Sequence, residues 1–200
     1  MARALMERST RFASAADWEA WLAKNHQKSA GIWLEIAKKG SGLATPSYGE
    51  ALDVALCFGW IDAQKKSHDD DVWLQRFTPR TKTSKWSAIN RDKAEALVKA
   101  KRMRPAGLAQ MEAAKKDGRW ARAYAGQKAS VVPPDLGKAL AANDKARAFF
   151  ETLDSANRYA ILYRLHHTEK AELRAKKIAA FVEMLAKRKK IHDGPRRPRT

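Results

Sequence analysis

Between Gly59 and Asn90 the chain reads GWIDAQKKSHDDDVWLQRFTPRTKTSKWSAIN, with three tryptophans set among side chains that carry charge or hydrogen bonds. The polar residues that could do chemistry are Asp62, Arg76, Arg80, Ser87 and Asn90, and Trp60 and Trp86 supply apolar walls. Aromatics beside convergent polar groups are what a ligand pocket or a rigid recognition surface requires. An aspartate held near an arginine stays ionised and can orient a ligand or act as a weak base. Arg80 presents a planar donor fork that suits carboxylate or phosphate. A plainer use of the same residues is an Asp62–Arg80 ion pair pinning a hairpin to the next helix. These motifs contain no poised histidine or thiol, so pairing outweighs catalysis as the expectation.

The remaining reactive side chains carry less. Cys57 is the sole cysteine and sits between Leu56 and Phe58, where it reads as a small core residue. One cysteine excludes an internal disulfide and a cysteine-rich zinc site. His68 precedes Asp69, Asp70 and Asp71, but consecutive residues rarely converge on one ion, and a solvated hairpin turn explains them. His166 and His167 are adjacent, so on a helix they diverge by about 100°. No HExxH, phosphate-binding glycine loop or nucleophile elbow is present. No metal, cofactor or catalytic residue is expected.

The elements that must position these groups follow from local pattern. Ser14 with Asp17, and Ser47 with Glu50, open two helices by capping boxes, the second ending at Gly59. Between them, Ile32, Leu34 and Ile36 alternate with Trp33, Glu35 and Ala37 as in a strand. Residues 60–66 and 72–77 are the arms of a hairpin, Trp60 and Asp62 on one face of the first, and Val72, Leu74 and Arg76 on one face of the second. Ser84 is expected to cap a long helix bearing Trp86, Ile89, Leu97 and Ala100. Pro105 opens another that buries Leu108 and Met111 and closes at Gly118. From about residue 128 only helical spacing remains: Leu136, Ala139 and Leu140, then Ala146, Phe149 and Phe150, then Tyr159, Leu162, Tyr163 and His166. A last helix, capped by Thr168, carries Leu173, Ile178, Phe181, Val182 and Leu185. The expected fold is α+β: a three-stranded antiparallel sheet with flanking helices over residues 1–127, a helical domain over 128–186, and a disordered basic tail over 187–200.

The net charge of +18 admits nucleic acid, anionic surfaces and small anions as partners. Nucleic-acid binding is the alternative function. Lys65, Lys66, Arg76, Arg80, Lys82 and Lys85 would follow the phosphates while Trp73 or Trp86 stacks on a base. The acids at Asp69–Asp71 oppose it, and Arg91, Lys93, Lys99, Lys101, Arg102 and Arg104 offer a second basic face. The tail, rich in Lys187–Lys190, Arg196, Arg197 and Arg199, reads as solubilising. No apolar run is long enough to span a bilayer, and MARALMERSTRF lacks the apolar core of a secretory signal. A cytoplasmic protein is expected.

Five motifs in order, GWID at 59–62, TPR at 78–80, S-x-W-S-x-x-N from Ser84 to Asn90, Pro105-Ala106-Gly107 and DGRW at 117–120, resemble the YdeI/OmpD-associated family. The later VPPDL and LRAKKIAAFVEML look like its C-terminal helical domain. The resemblance implies a link to bacteriocin protection and brings no enzymatic activity with it. Together with the residues, it leads us to expect a non-enzymatic stress- or resistance-associated protein. Its ligand would be a small anion or a protein partner held by Trp60, Asp62, Arg76, Arg80, Trp86, Ser87 and Asn90.

Overall fold

A computed structural model describes residues 9–192 of the chain. These divide into two compact units, one ending at Ala123 and the other beginning at Tyr124.

The first unit holds a sheet of four strands rather than three. Its members are β1 (Ser9–Thr10), β2 (Ile32–Ala37), β3 (Trp60–Ser67) and β4 (Val72–Pro79), in spatial order β1-β2-β4-β3. β2–β4 and β3–β4 are antiparallel, whereas β1 runs parallel to β2, so the sheet is mixed. A strand of two residues is too short to display alternation, which is why β1 left no pattern to read. The register of β3 slips between Asp62 and Lys65.

One face of the sheet is the core. Ile32, Leu34, Ile36 and Phe77 pack there against α1 (Ala15–Asn25) and α2 (Tyr48–Cys57). Both helices start where their caps place them: Ser14 Oγ accepts from Asp17 N, and Ser47 and Glu50 form a reciprocal box. The indoles at the centre have both ring contacts and hydrogen bonds. Trp18 stacks on Trp21 at 5.4 Å, meets Trp60 edge-on at 6.3 Å, and donates from Nε1 to Ala51 O at 3.1 Å. Gly59 follows α2 in the left-handed region at φ +74, turning the chain into β3.

α3 (Ala88–Lys99) is capped by Ser87, not by Ser84. Ser84 is used earlier, accepting from Thr81 N at 2.8 Å, so the chain stays extended through Trp86 before the helix begins. α4 (Pro105–Lys116) starts at its proline and is followed by Gly118 at φ +80. Leu97 and Met111 are buried as the spacing predicts, but Ile89 and Leu108 face outward. Gly107 allows α4 to lie directly on the end of α2: a β-carbon there would be 2.4 Å from Cys57 O.

The second unit is helical among its described residues. It comprises a short 3-10 turn (Gln127–Ala129) and helices α5 (Pro134–Ala141), α6 (Asp144–Glu151), α7 (Ser155–His166) and α8 (Ala171–Ala186). Leu136, Leu140, Phe150, Ile161, Leu165 and Leu185 form its core. The cap of α8 is Lys170 rather than Thr168, which is buried and donates to Arg164 O. Leu173 is half exposed, because the buried stripe of α8 begins only at Ile178.

Of the expected tail, residues 193–200 lie outside the described residues. Ile191 packs against the helical core, and Asn157, itself buried, clamps His192 by accepting from its N–H at 2.9 Å and donating to its carbonyl at 3.3 Å.

Candidate functional site

The expected site residues fall into four places. Trp60 is 1 % exposed within the tryptophan cluster, its Nε1 donating to His26 O at 3.0 Å, so its role there is core packing. Asp62 lies two residues further along β3 and accepts from Tyr48 Oη at 2.8 Å. Its partner is therefore a phenol at the start of α2 instead of the expected guanidinium. Arg76 occupies the other face of β4 from Phe77, the residue opposite Asp62, and lies over the Trp33 ring at 5.6 Å.

The fourth place brings Arg80, Trp86, Ser87 and Asn90 together at the N-terminal end of α3. The Thr81–Ser84 turn reverses the chain after β4, so Arg80 and Trp86 meet across it. The Arg80 guanidinium lies 3.5 Å over the Trp86 ring, and its Nη1 donates to Lys85 O at 3.1 Å. Its backbone N–H donates to Gly59 O at 3.0 Å, tying the corner to the end of α2. With 5 % exposure, this cation is a rigid part of the fold rather than a mobile arm. Trp86 meets Trp120 edge-on at 4.7 Å, and Arg119 donates to Ser84 O at 2.8 Å, so the DGRW segment supports the corner from behind. Trp86 Nε1 is buried with no acceptor among the described residues.

Ser87 Oγ accepts from Asn90 N at 3.1 Å, the capping bond of α3. That bond accounts for Ser87 but uses only the backbone N–H of Asn90, and the half-buried Asn90 sits in the first turn of α3, where backbone N–H groups point outward. The uncapped N–H groups and the macrodipole make this end of α3 mildly positive.

Two residues outside the expected set complete these places: Tyr48, which holds Asp62, and Trp120, which backs Trp86. Trp120 belongs to a conspicuous motif; Tyr48 has no sequence signal beyond following a cap. Elsewhere, Asp69 accepts from Val72 N and Asp71 N to close the hairpin, and those bonds hold its carboxyl below the usual range. Cys57 is buried, and desolvation pushes its thiol up to about 11. Among the described residues no group of three or more metal-binding side chains is found. Among the described residues no helix is long and apolar enough to cross a membrane. Lys65 and Lys66 each lie on an indole, at 4.0 Å from Trp73 and 4.2 Å from Trp33. On α3, Arg91 and Lys93 pair with Asp92 and Asp53, while Lys99 and, just beyond the helix, Lys101 and Arg102 are exposed.

Comparison with known families divides the chain similarly. Residues 10–110 match the model of a domain of unknown function, DUF8412. Residues 129–188 match the family described as bacteriocin-protection, YdeI or OmpD-associated, the resemblance read from the sequence. The GWID, TPR and S-x-W-S-x-x-N motifs thus fall in the first match, and VPPDL and LRAKKIAAFVEML in the second. No curated protein and no solved structure matches the chain.

Proposed function

We propose that this chain, which belongs to the domain-of-unknown-function family DUF8412 and over residues 129–188 to the bacteriocin-protection, YdeI or OmpD-associated family, is a non-enzymatic, resistance-related protein that binds a small anion. The binding place is the corner formed by Arg80, Trp86, Ser87 and Asn90. The observation that carries this reading is the buried Trp86 Nε1, a donor with no acceptor among the described residues, beside a guanidinium already oriented by its ring. A buried donor left unmet costs about 1–3 kcal/mol, and an oxyanion at this corner supplies the acceptor. The positive end of α3 adds to the attraction. Asp62 with Tyr48 and Arg76 with Trp33 then act as supports of the sheet around the corner.

The test is calorimetric titration of the protein with inorganic phosphate and with acetate, comparing Trp86→Phe and Arg80→Ala. Trp86→Phe keeps an aromatic platform for Arg80 and removes only the indole N–H. It is expected to weaken binding about tenfold, the scale of a hydrogen bond to a charged group. Unchanged affinity in a folded Trp86→Phe protein would remove the corner as the site.

Nucleic-acid binding is the second reading, favoured by exposed Lys99, Lys101 and Arg102 near the end of α3. It predicts steeply salt-dependent binding to short DNA or RNA that responds to Lys99→Glu and Lys101→Glu and is indifferent to Trp86→Phe.

A further inference from the structure

We propose that the helical unit docks an acidic amphipathic helix of a partner protein in the groove between α5, α6 and α8. The groove encloses about 830 Å³ and adjoins a second hollow of about 510 Å³, with Lys145 and Ala186 lining both. Ile178 and Val182 form its floor, flanked by the small side chains of Ala139, Ala175 and Ala179. Small residues let the backbone of an incoming helix come close, and larger ones would hold it off.

A helix fits better than the alternatives of shape. The walls are helices whose backbone groups are bonded internally, so no strand edge is available for an extended peptide to join. Along α8 the groove runs from Ala175 to Ala186, about 16 Å at 1.5 Å per residue, which is about three helical turns. Apart from Lys145, the polar groups at its rim are already used: Asp135 by Arg174, Glu183 by Lys187, and Asn143 as the cap of α6. A small polar ligand would find few specific partners there, while an apolar helix face needs none.

The charge at one end selects an acidic occupant. Lys145 and Arg188 line the adjoining hollow, and neither has an acidic partner among the described residues. Arg188 is also held against its own preference. It stands just after α8 at φ +55, its N–H bonded to Leu185 O at 2.8 Å and that of Lys189 to Met184 O at 3.0 Å. This is the left-handed helix ending that normally takes glycine. The strained arginine places its guanidinium 5.9 Å from the Phe149 ring, at the wall of the hollow. Backbone strain at a surface cation is an observation from which function can be inferred.

The experiment uses the whole protein and a dye-labelled synthetic helix of about five turns, with leucines at i, i+3, i+4 and i+7 and glutamates on the other face. A lysine version with the same leucines and a glutamate version with scrambled leucines are the controls. Fluorescence anisotropy is expected to show binding of the first peptide above both controls. Ala179→Trp, which fills the groove from an exposed position, should weaken it more than tenfold. Lys145→Glu and Arg188→Gly should each weaken it about two- to fivefold, the worth of an exposed charge pair. Arg188→Gly relieves the strain, so its loss of binding cannot come from a loss of fold. Absence of binding, equal binding of the three peptides, or indifference to Ala179→Trp each overturns the proposal. Self-association in sedimentation that Ala179→Trp abolishes would assign the groove to a second copy of this chain and overturn it as well.

Discussion

The two units bury their residues in different ways. The core of the first is held by direction: the indole N–H of Trp18 goes to Ala51 O, that of Trp60 goes to His26 O, and the rings meet at stacked and edge-on angles. The core of the second is leucine, isoleucine and phenylalanine contributed by four helices, and it leaves an apolar groove open along α8. Large aromatics with fixed hydrogen bonds define one arrangement of sheet and helices. Aliphatic side chains on short helices fill a core without consuming the whole apolar surface. Rigidity suits the capture of a small ion, and an open groove suits a macromolecule.

If that contrast is right, the largest effect comes from Trp18→Ala. It should cost about 3–5 kcal/mol, as for a fully buried tryptophan. In urea, followed by far-ultraviolet circular dichroism, the transition of the first unit should move to lower denaturant while a helical transition from the second stays in place. A single shared transition would mean that the units are not independent in stability.

Gly107→Ala comes next. In an exposed helix this change gains about 0.5–1 kcal/mol. Here the new carbon would lie 2.4 Å from both Cys57 O and Met103 Sδ, so α4 must lift from α2. A loss of about 1–3 kcal/mol is expected from thermal unfolding. A gain would show that the α2–α4 contact yields readily.

The Cys57 thiol gives a smaller effect that depends on pH. Burial raises its folded value to about 11 from an ordinary 9.0, so the unfolded chain ionises first. Its contribution is intact below about pH 9 and is lost as the pH rises toward 11. Urea midpoints at pH 8 and 10.5 should fall further for the parent protein than for Cys57→Ala.

The smallest effects pair the units directly. Lys101 at φ +57 and Arg188 at φ +55 follow α3 and α8 in the same left-handed conformation. Lys101→Gly and Arg188→Gly should each stabilise the protein by up to about 1 kcal/mol. Only the second should weaken the docked helix.

Much of this architecture was legible in the residues. Capping pairs located the starts of α1 and α2, alternation located β2 and the hairpin, and Pro105 and Gly118 bracketed α4. Alternation cannot reveal a two-residue strand, so β1 and the parallel pairing were missed. Ser84 and Ser87 are both credible caps by composition; the choice between them depended on the Thr81–Ser84 turn, a local competition that helical periodicity does not record. The residues expected to form a site are brought together by the fold only in part. Arg80, Trp86, Ser87 and Asn90 converge because one turn reverses the chain. Arg76 is removed from Asp62 by alternation across paired strands, and Asp62 is taken by Tyr48 from a separate helix. The groove along α8 left no signal, since alanines on a helix surface look like good helix formers and nothing more.

The slipped register in β3 has a consequence for the protein in a crowded solution. β3 is the border of the sheet on one side, mostly exposed, and an unpaired border strand invites the strand of another molecule to join it. The irregularity between Asp62 and Lys65 bends that border out of the straight line a visiting strand would need, and Lys65 and Lys66 stand just beyond it. Both lysines fold back over the sheet onto tryptophans of its inner strands, Trp73 of β4 and Trp33 of β2. The same side chains that resemble a phosphate-reading stripe in the sequence thus belong to a border strand whose irregular register is of the kind that discourages strand addition.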